Sequence, residues 1–190
     1  MTSPASRTSD RAGEVLLYLV RHGQTVWNAA SKLAGSTDVE LTDLGREQAS
    51  SLRARLGSMD FDHVWSSDLK RAVHTAQLAY GKPVQDRRLR EMNFGDLEGE
   101  PWRELAPEYR EPLTNFVDFA APGGESLVEL GARLRSFADS LEPGRHLVFT
   151  HGGVIRWFMH GLTDAVFVQN GTLVTLRWYP DPEVIDVLQL

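Results

Sequence analysis

The stretch Leu16-Leu17-Tyr18-Leu19-Val20-Arg21-His22-Gly23-Gln24-Thr25-Val26-Trp27-Asn28 decides the reading of this chain. Residues 15 to 20 are almost wholly apolar and partly β-branched, as in a strand covered on both faces of a parallel sheet. The apolar run stops at a cation and an imidazole. In open α/β sheets ligands collect beyond the carboxyl ends of the strands, so Arg21 and His22 are delivered where a site is expected. Gly23 lets the backbone approach a ligand closely, and Asn28 can donate from its side-chain amide.

The same design returns late in the chain. Leu147-Val148-Phe149-Thr150 reads as a second apolar strand, ending at His151-Gly152-Gly153 and leading into a helix whose first N–H groups can bind an anion. Between the two lie helix signals. Thr42 is an N-cap with Asp43 in the first turn, ahead of apolar positions at Leu44, Ala49, Leu52 and Leu56. Gly57 ends that helix. Val64-Trp65 is a short strand breaking at Ser66-Ser67 into a helix that carries Arg71, with Asp68 expected in its acidic first turn. Leu127, Leu130, Leu134, Phe137 and Leu141 step by three and four, as in an amphipathic helix against a sheet, and Pro143-Gly144 stops it. Residues 171 to 190 read as two strands joined at Pro180-Asp181-Pro182. The pattern predicts an α/β fold, a three-layer αβα sandwich around a mostly parallel central sheet.

The segments Arg21-His22-Gly23-x-Thr25-x-x-Asn28, Leu41-Thr42-x-x-Gly45-x-x-Gln48-Ala49, Ser67-x-Leu69-x-Arg71-Ala72-x-x-Thr75-Ala76 and Leu89-x-Glu91-x-x-Phe94-Gly95 resemble the signatures of the histidine phosphatase superfamily, also called the phosphoglycerate mutase-like family. The resemblance implies that His22 is phosphorylated during turnover. It implies a phosphate pocket of Arg21, Asn28, Arg71 and Gly152, a second catalytic histidine at His151, and a proton donor at Glu91, with Glu98 the alternative. One family branch carries an Asp directly after the second histidine; Gly152 stands there, which places this chain in the branch with a Glu donor. Ala34 replaces a frequent Gln before Gly35, which weakens any phosphate contact expected from that loop. His63, His146 and His160 match no motif. No metal or other cofactor is implied, because arginines and histidines neutralise the phosphate charge.

Composition narrows the partners. The chain has 190 residues, 42% hydrophobic and 24% charged, with a net charge of -6 and no basic block, which argues against nucleic acid. Without cysteine, every thiolate mechanism and disulfide is excluded. No stretch approaches a membrane span, and residues 1 to 13 are small and polar, expected as a disordered tail rather than a signal peptide. Residues 14 to 190 are expected to form one domain in a cytoplasmic protein, with a homodimer left open. Asp60-Phe61-Asp62-His63-Val64 fits DxDxV, a phosphatase nucleophile motif, but precedes its strand instead of ending it.

Residues 92 to 122 are expected as a cap. They hold Arg103 and Arg110 against Asp96, Glu98, Glu100, Glu104, Glu108, Glu111 and Asp118. A mutase must hold a doubly phosphorylated intermediate, so this acidic cap favours a phosphatase for a small phosphomonoester. The compact layout and Pro122-Gly123-Gly124-Glu125-Ser126 resemble the broad-specificity and α-ribazole phosphatases. A phosphoglycerate mutase, or an inactive phosphate-binding module, is the alternative.

Overall fold

A computed structural model describes residues 13–163 and 167–189. The tail expected over residues 1 to 13 lies outside them except for Gly13. Six strands form one sheet: β1 (Val15–Arg21), β2 (His63–Ser66), β3 (Val84–Gln85), β4 (Gly144–Thr150), β5 (Leu173–Tyr179) and β6 (Glu183–Leu188), in the order β3-β2-β4-β1-β5-β6. The first four in that order are mutually parallel, while β5 and β6 add an antiparallel edge. The expected mostly parallel sheet is present, and residues 171 to 190 supply its last two strands.

Side-chain alternation along β1 builds the layers. Leu17 and Leu19 enter one buried cluster with Leu130, Leu134 and Phe137 of α5 (Leu127–Ala138) and Ile155 and Phe158 of α6 (Gly152–Met159). Tyr18 and Val20 enter another with Leu52 and Leu56 of α2 (Asp43–Leu56) and Ala76 and Ala79 of α3 (Lys70–Ala79). Successive strand residues face opposite sides, so a fully apolar strand requires helices on both faces. The result is three layers, αβα. Two further helices are α1 (Val26–Ala29), which buries no residue, and α4 (Pro107–Asn115), whose Leu113 joins the first cluster.

Helix boundaries follow their caps. Thr42 accepts from Gly45 N, and Ser126 forms a reciprocal capping box with Glu129. Three expectations are corrected. Helix α5 ends at Ala138 with Asp139 as its C-cap, ahead of Leu141 and Pro143-Gly144. Leu44 is 49% exposed, because α2 buries Gly45, Ala49, Leu52 and Leu56 instead. Asp68 precedes α3, which starts at Lys70, and its carboxylate pairs with Arg90 at 2.6 and 2.7 Å. The DxDxV decoy is structural: Asp62 accepts from Arg145 N at the foot of β4. Residues 92 to 122 contain a 3-10 turn at Gly95–Leu97 and α4, and Phe94, Leu97, Leu113, Phe116 and Phe119 join the core.

The loop after β1 is locked onto α2 by two glycines. A Cβ on Gly45 would stand 2.0 Å from Gln24 O, and one on Gly23 would stand 2.1 Å from Gly45 O. Both obstructing atoms are backbone, so relief requires the loop to move. Gly45→Ala is expected to lower the unfolding free energy by about 1–3 kcal/mol, as overpacking does, read by urea denaturation. The same substitution moves the segment that carries His22.

Candidate active site

β1 and β4 are parallel neighbours in register, with Arg21 opposite Thr150. Their carboxyl ends therefore release His22 and His151 side by side, and His22 N donates to Thr150 O at 3.0 Å. The two imidazoles meet edge-on with centroids 5.2 Å apart, both buried. The second strand-His-Gly turn noticed in the sequence thus stands beside the first.

Arg71 enters from α3 and is wholly buried. Its Nε–H is shared between His22 Nε2 and His151 Nδ1, 3.2 Å from each. A guanidinium only donates, so both of these ring nitrogens present lone pairs. On His22 the proton then sits on Nδ1, which donates to Gly23 O at 2.7 Å. On His151 it sits on Nε2, which has no partner among the described residues. One N–H therefore fixes opposite tautomers: a basic Nε2 on His22 and an Nε2–H donor on His151.

The outer nitrogens of Arg71 donate to Thr37 O at 2.9 Å and Gly35 O at 2.6 Å. The loop presenting those carbonyls is bound by Glu98, which accepts from Ser36 N at 2.7 Å, Thr37 N at 2.8 Å, Phe94 N at 3.2 Å and the hydroxyls of Ser36 and Thr37. Burial alone would raise the Glu98 pKa, but these donors together bring it below the usual glutamate value. Glu98 is thus occupied as an acceptor, which disfavours it as the alternative proton donor. The carbonyls of Gly35 and Thr37 that hold Arg71 do not involve the Ala34 side chain.

Arg21 donates to Val168 O, and its buried Nε has no partner among the described residues. Gly152 lies against it: a Cβ there would stand 3.3 Å from Arg21 Cζ and Nε. Asn28 Oδ1 accepts from Thr25 N at 3.0 Å, from Thr25 Oγ1 and from Asn170 Nδ2. With its oxygen so engaged, the amide nitrogen faces the other way as a donor. Glu91 is also brought in: its carboxylate accepts from Met92 N at 3.0 Å and from Gly153 N, in the first turn of α6, at 2.9 Å. Its charge acts on both Arg21 and Arg71.

Both histidine pKa values lie well below 6.5, chiefly through burial and next through the Arg71 cation, with Arg21 adding to both. Burial and the neighbouring arginines act in the same direction to keep His22 neutral, and burial contributes more. Burial also lowers Arg71 to about 10, which leaves it cationic at neutral pH.

All seven residues singled out in the sequence, Arg21, His22, Asn28, Arg71, Glu91, His151 and Gly152, surround the ends of β1 and β4. Several supports were missed. Thr75 accepts from Gly23 N and donates to Arg71 O, and Asn170 donates to His22 O at 3.0 Å. Thr75 lies in a quoted motif and could have been found there; Asn170 lies in a polar loop with no pattern. His146 lies apart, accepting from Trp65 Nε1 and donating to Glu142 O.

The profile of the histidine phosphatase superfamily (branch 1) matches residues 17–188. The Arabidopsis thaliana protein named phosphoglycerate mutase-like protein 4 is 43% identical across 74% of this chain and 67% of its own length. A solved structure of phosphoglycerate mutase from Thermus thermophilus superposes with a TM-score of 0.85 at 40% identity, covering 92% of this chain and 99% of that one. A chain from Escherichia coli, provisionally described as an alpha-ribazole-5′-P phosphatase, superposes with a TM-score of 0.73 at 28% identity, covering 90% and 96%.

The depressed histidines make stability pH-dependent. In the unfolded chain they titrate near about 6.5, whereas in the folded chain they stay neutral well below that. The stability is fully present above about pH 6.5 and is lost as pH falls toward the folded values, by at most about 1.4 kcal/mol per pH unit for each group. Urea denaturation between pH 7 and 5 should show a shallower acid slope in His22→Gln/His151→Gln than in the parent.

Proposed function

The chain belongs to the histidine phosphatase superfamily, and on that footing we propose that it is a phosphomonoester hydrolase working without metal through a phosphohistidine at His22. The observation that carries this reading is the pair of opposite tautomers set by Arg71. A nucleophilic nitrogen and an N–H donor are what in-line phosphoryl transfer asks of two adjacent histidines: one attacks phosphorus, and the other holds an equatorial oxygen.

A phosphoryl group enters with its oxygens toward Arg21, the Asn28 amide and His151 Nε2–H. One oxygen takes over the Nε–H of Arg71, whose bonds to the imidazoles are long. His22 Nε2 is then free to form the N–P bond while the P–O bond to the leaving group breaks. Glu91, in its acid form, gives its proton to the departing alkoxide. Water next attacks the phosphohistidine, Glu91 takes up a water proton, and the N–P electrons return to Nε2. Throughout, the Nδ1–H bond to Gly23 O spreads the positive charge that His22 acquires.

The names of the relatives make a phosphoglycerate mutase the second reading. A mutase requires cations beyond the first phosphate. Three guanidiniums around Glu91 are already engaged, Arg156 with Leu113 O and Thr114 O, Arg90 with Asp68, and Arg133 with carbonyls and Glu125, which leaves the largely exposed Arg87 as the other cation lining the cavity beside Glu91. This commitment supports hydrolysis of a monophosphate whose remainder carries no second anion. We place the protein in the cytoplasm; among the described residues no helix is long and apolar enough to cross a membrane.

Three measurements test the reading. Neutral quenching with labelled substrate should place label on His22, and His22→Ala should abolish turnover. Glu91→Gln should lose roughly 10²- to 10⁴-fold in kcat/KM on alkyl phosphates and far less on p-nitrophenyl phosphate, whose leaving group needs no proton. Uncharged alkyl or aryl monophosphates should be preferred to 3-phosphoglycerate; a clear preference for the glycerate ester would favour the mutase.

A further inference from the structure

Glu91 sits on irregular backbone between the 3-10 turns at Arg87–Leu89 and Gly95–Leu97, with no ladder of strand or helix bonds to fix it. Side chains hold it instead. Arg133, from α5, donates through Nη1 to Arg88 O at 2.6 Å and Arg90 O at 2.7 Å, and through Nη2 to Glu91 O at 3.0 Å. Its remaining donors grip Glu125, Nε to Oε1 at 2.6 Å and Nη2 to Oε2 at 2.9 Å. All five N–H groups of the guanidinium are thereby spent. Glu125 Oε2 also accepts from Asn93 N at 3.2 Å, and Thr150 Oγ1 donates to Leu89 O at 2.8 Å. Every carbonyl from Arg88 to Glu91 is therefore held by a side chain.

We propose that the Arg133–Glu125 pair is the positioning element for Glu91, a clamp that sets where its carboxyl meets the leaving group. The proposal rests on the reading of Glu91 as proton donor. The geometry has a consequence that a general stabilising pair lacks. Arg133 binds the carbonyl of Glu91 itself and of the residue before it, while the carboxylate is bound separately by Gly153 N. The side chain is thus fixed between a clamp on α5 and the first turn of α6. Releasing the clamp lets the backbone shift while the phosphate pocket, built on β1, α3 and β4, stays in place. An ammonium cannot replace the fork, because three carbonyls and a carboxylate require donors spread in one plane. Arg133→Lys keeps the charge that acts on His151 and removes only this geometry.

The test uses Arg133→Lys and Glu125→Gln, each first compared with the parent by thermal melting; the near-isosteric Glu125→Gln carries the test if Arg133→Lys does not fold. The amide resonance of Gly153 reports the Glu91 carboxylate directly and is expected to move in both variants. A 1 Å misplacement of a catalytic group costs about 10²-fold, so kcat/KM on alkyl phosphates, which reports phosphorylation of His22, should fall by about that factor. On p-nitrophenyl phosphate the loss in kcat/KM should stay within about threefold, since its leaving group needs no proton. In a Glu91→Gln background neither substitution should cause further loss on alkyl phosphates. An unmoved Gly153 amide, equal losses on both substrates, or a further loss in the Glu91→Gln background would overturn the clamp. If Glu91→Gln alone showed no leaving-group dependence, the proton-donor reading would fail, and the Gly153 amide would still decide whether the clamp places the carboxylate.

Discussion

A single N–H, that of Arg71 Nε, lies between two imidazole lone pairs, and the rest of the site depends on it. A buried guanidinium is tolerated only when its donors are satisfied, since an uncompensated buried cation is costly. Two carbonyls of the 35–37 loop supply most of that satisfaction, and Glu98 binds the loop so that they point inward. The path from Glu98 to Arg71 to the two histidines is a chain of hydrogen bonds in which each member has one role. A negative charge at the surface of the loop ends by choosing the tautomers of buried rings.

Sheet topology provides the other half. β1 and β4 are far apart in sequence but adjacent in space, and their matched register places both histidines beyond the same edge. A crossover connection is needed between parallel strands, and the intervening chain supplies α2, α3 and α5 as it covers both faces. Arg71 and Arg133 ride on helices from opposite faces: α3 packs with Tyr18 and Val20, α5 with Leu17 and Leu19. Arg71 and the Arg133 that holds the Glu91 backbone are thus carried by different layers, which is the basis for expecting the proposed phosphate pocket and the proposed proton donor to respond separately to substitution.

Legibility in the sequence followed the range of the interactions. The layered fold could be read because period-two burial of β1 and three-four spacing in α5 are local consequences of geometry. Arg71, Glu91 and His151 could be read because their motifs have fixed spacing within one loop or turn. Asp68 was misplaced because its bidentate partner, Arg90, lies on another segment and draws it out of the helix start. Leu44 was misplaced because small Gly45, pressed on Gln24, takes the buried position. The carbonyls of Gly35 and Thr37 carry no side-chain signature at all. Arg133 stood in plain view on α5 as an ordinary polar position, and only the approach of residues 88 to 91 gives it a task.

The charge of the site bears on how it recognises a substrate. Arg21 and Arg71 lie within reach of the Glu91 carboxylate, with Asp38 and Glu98 also acting on Arg71, while both histidines are neutral, so the two guanidiniums are the cations of a region largely removed from water. Burial lowers the pKa of both arginines, a sign that each cation is held at a cost. A phosphate dianion lowers that cost by giving the guanidiniums an anion at short range, where the low dielectric strengthens the attraction. Under the proposed function, affinity for the phosphoryl group would come from these cations and need little from the rest of the substrate. Specificity would then rest with the surroundings of Glu91, the proposed donor to the leaving group, where the neighbouring guanidiniums of Arg90, Arg133 and Arg156 are already committed to the protein.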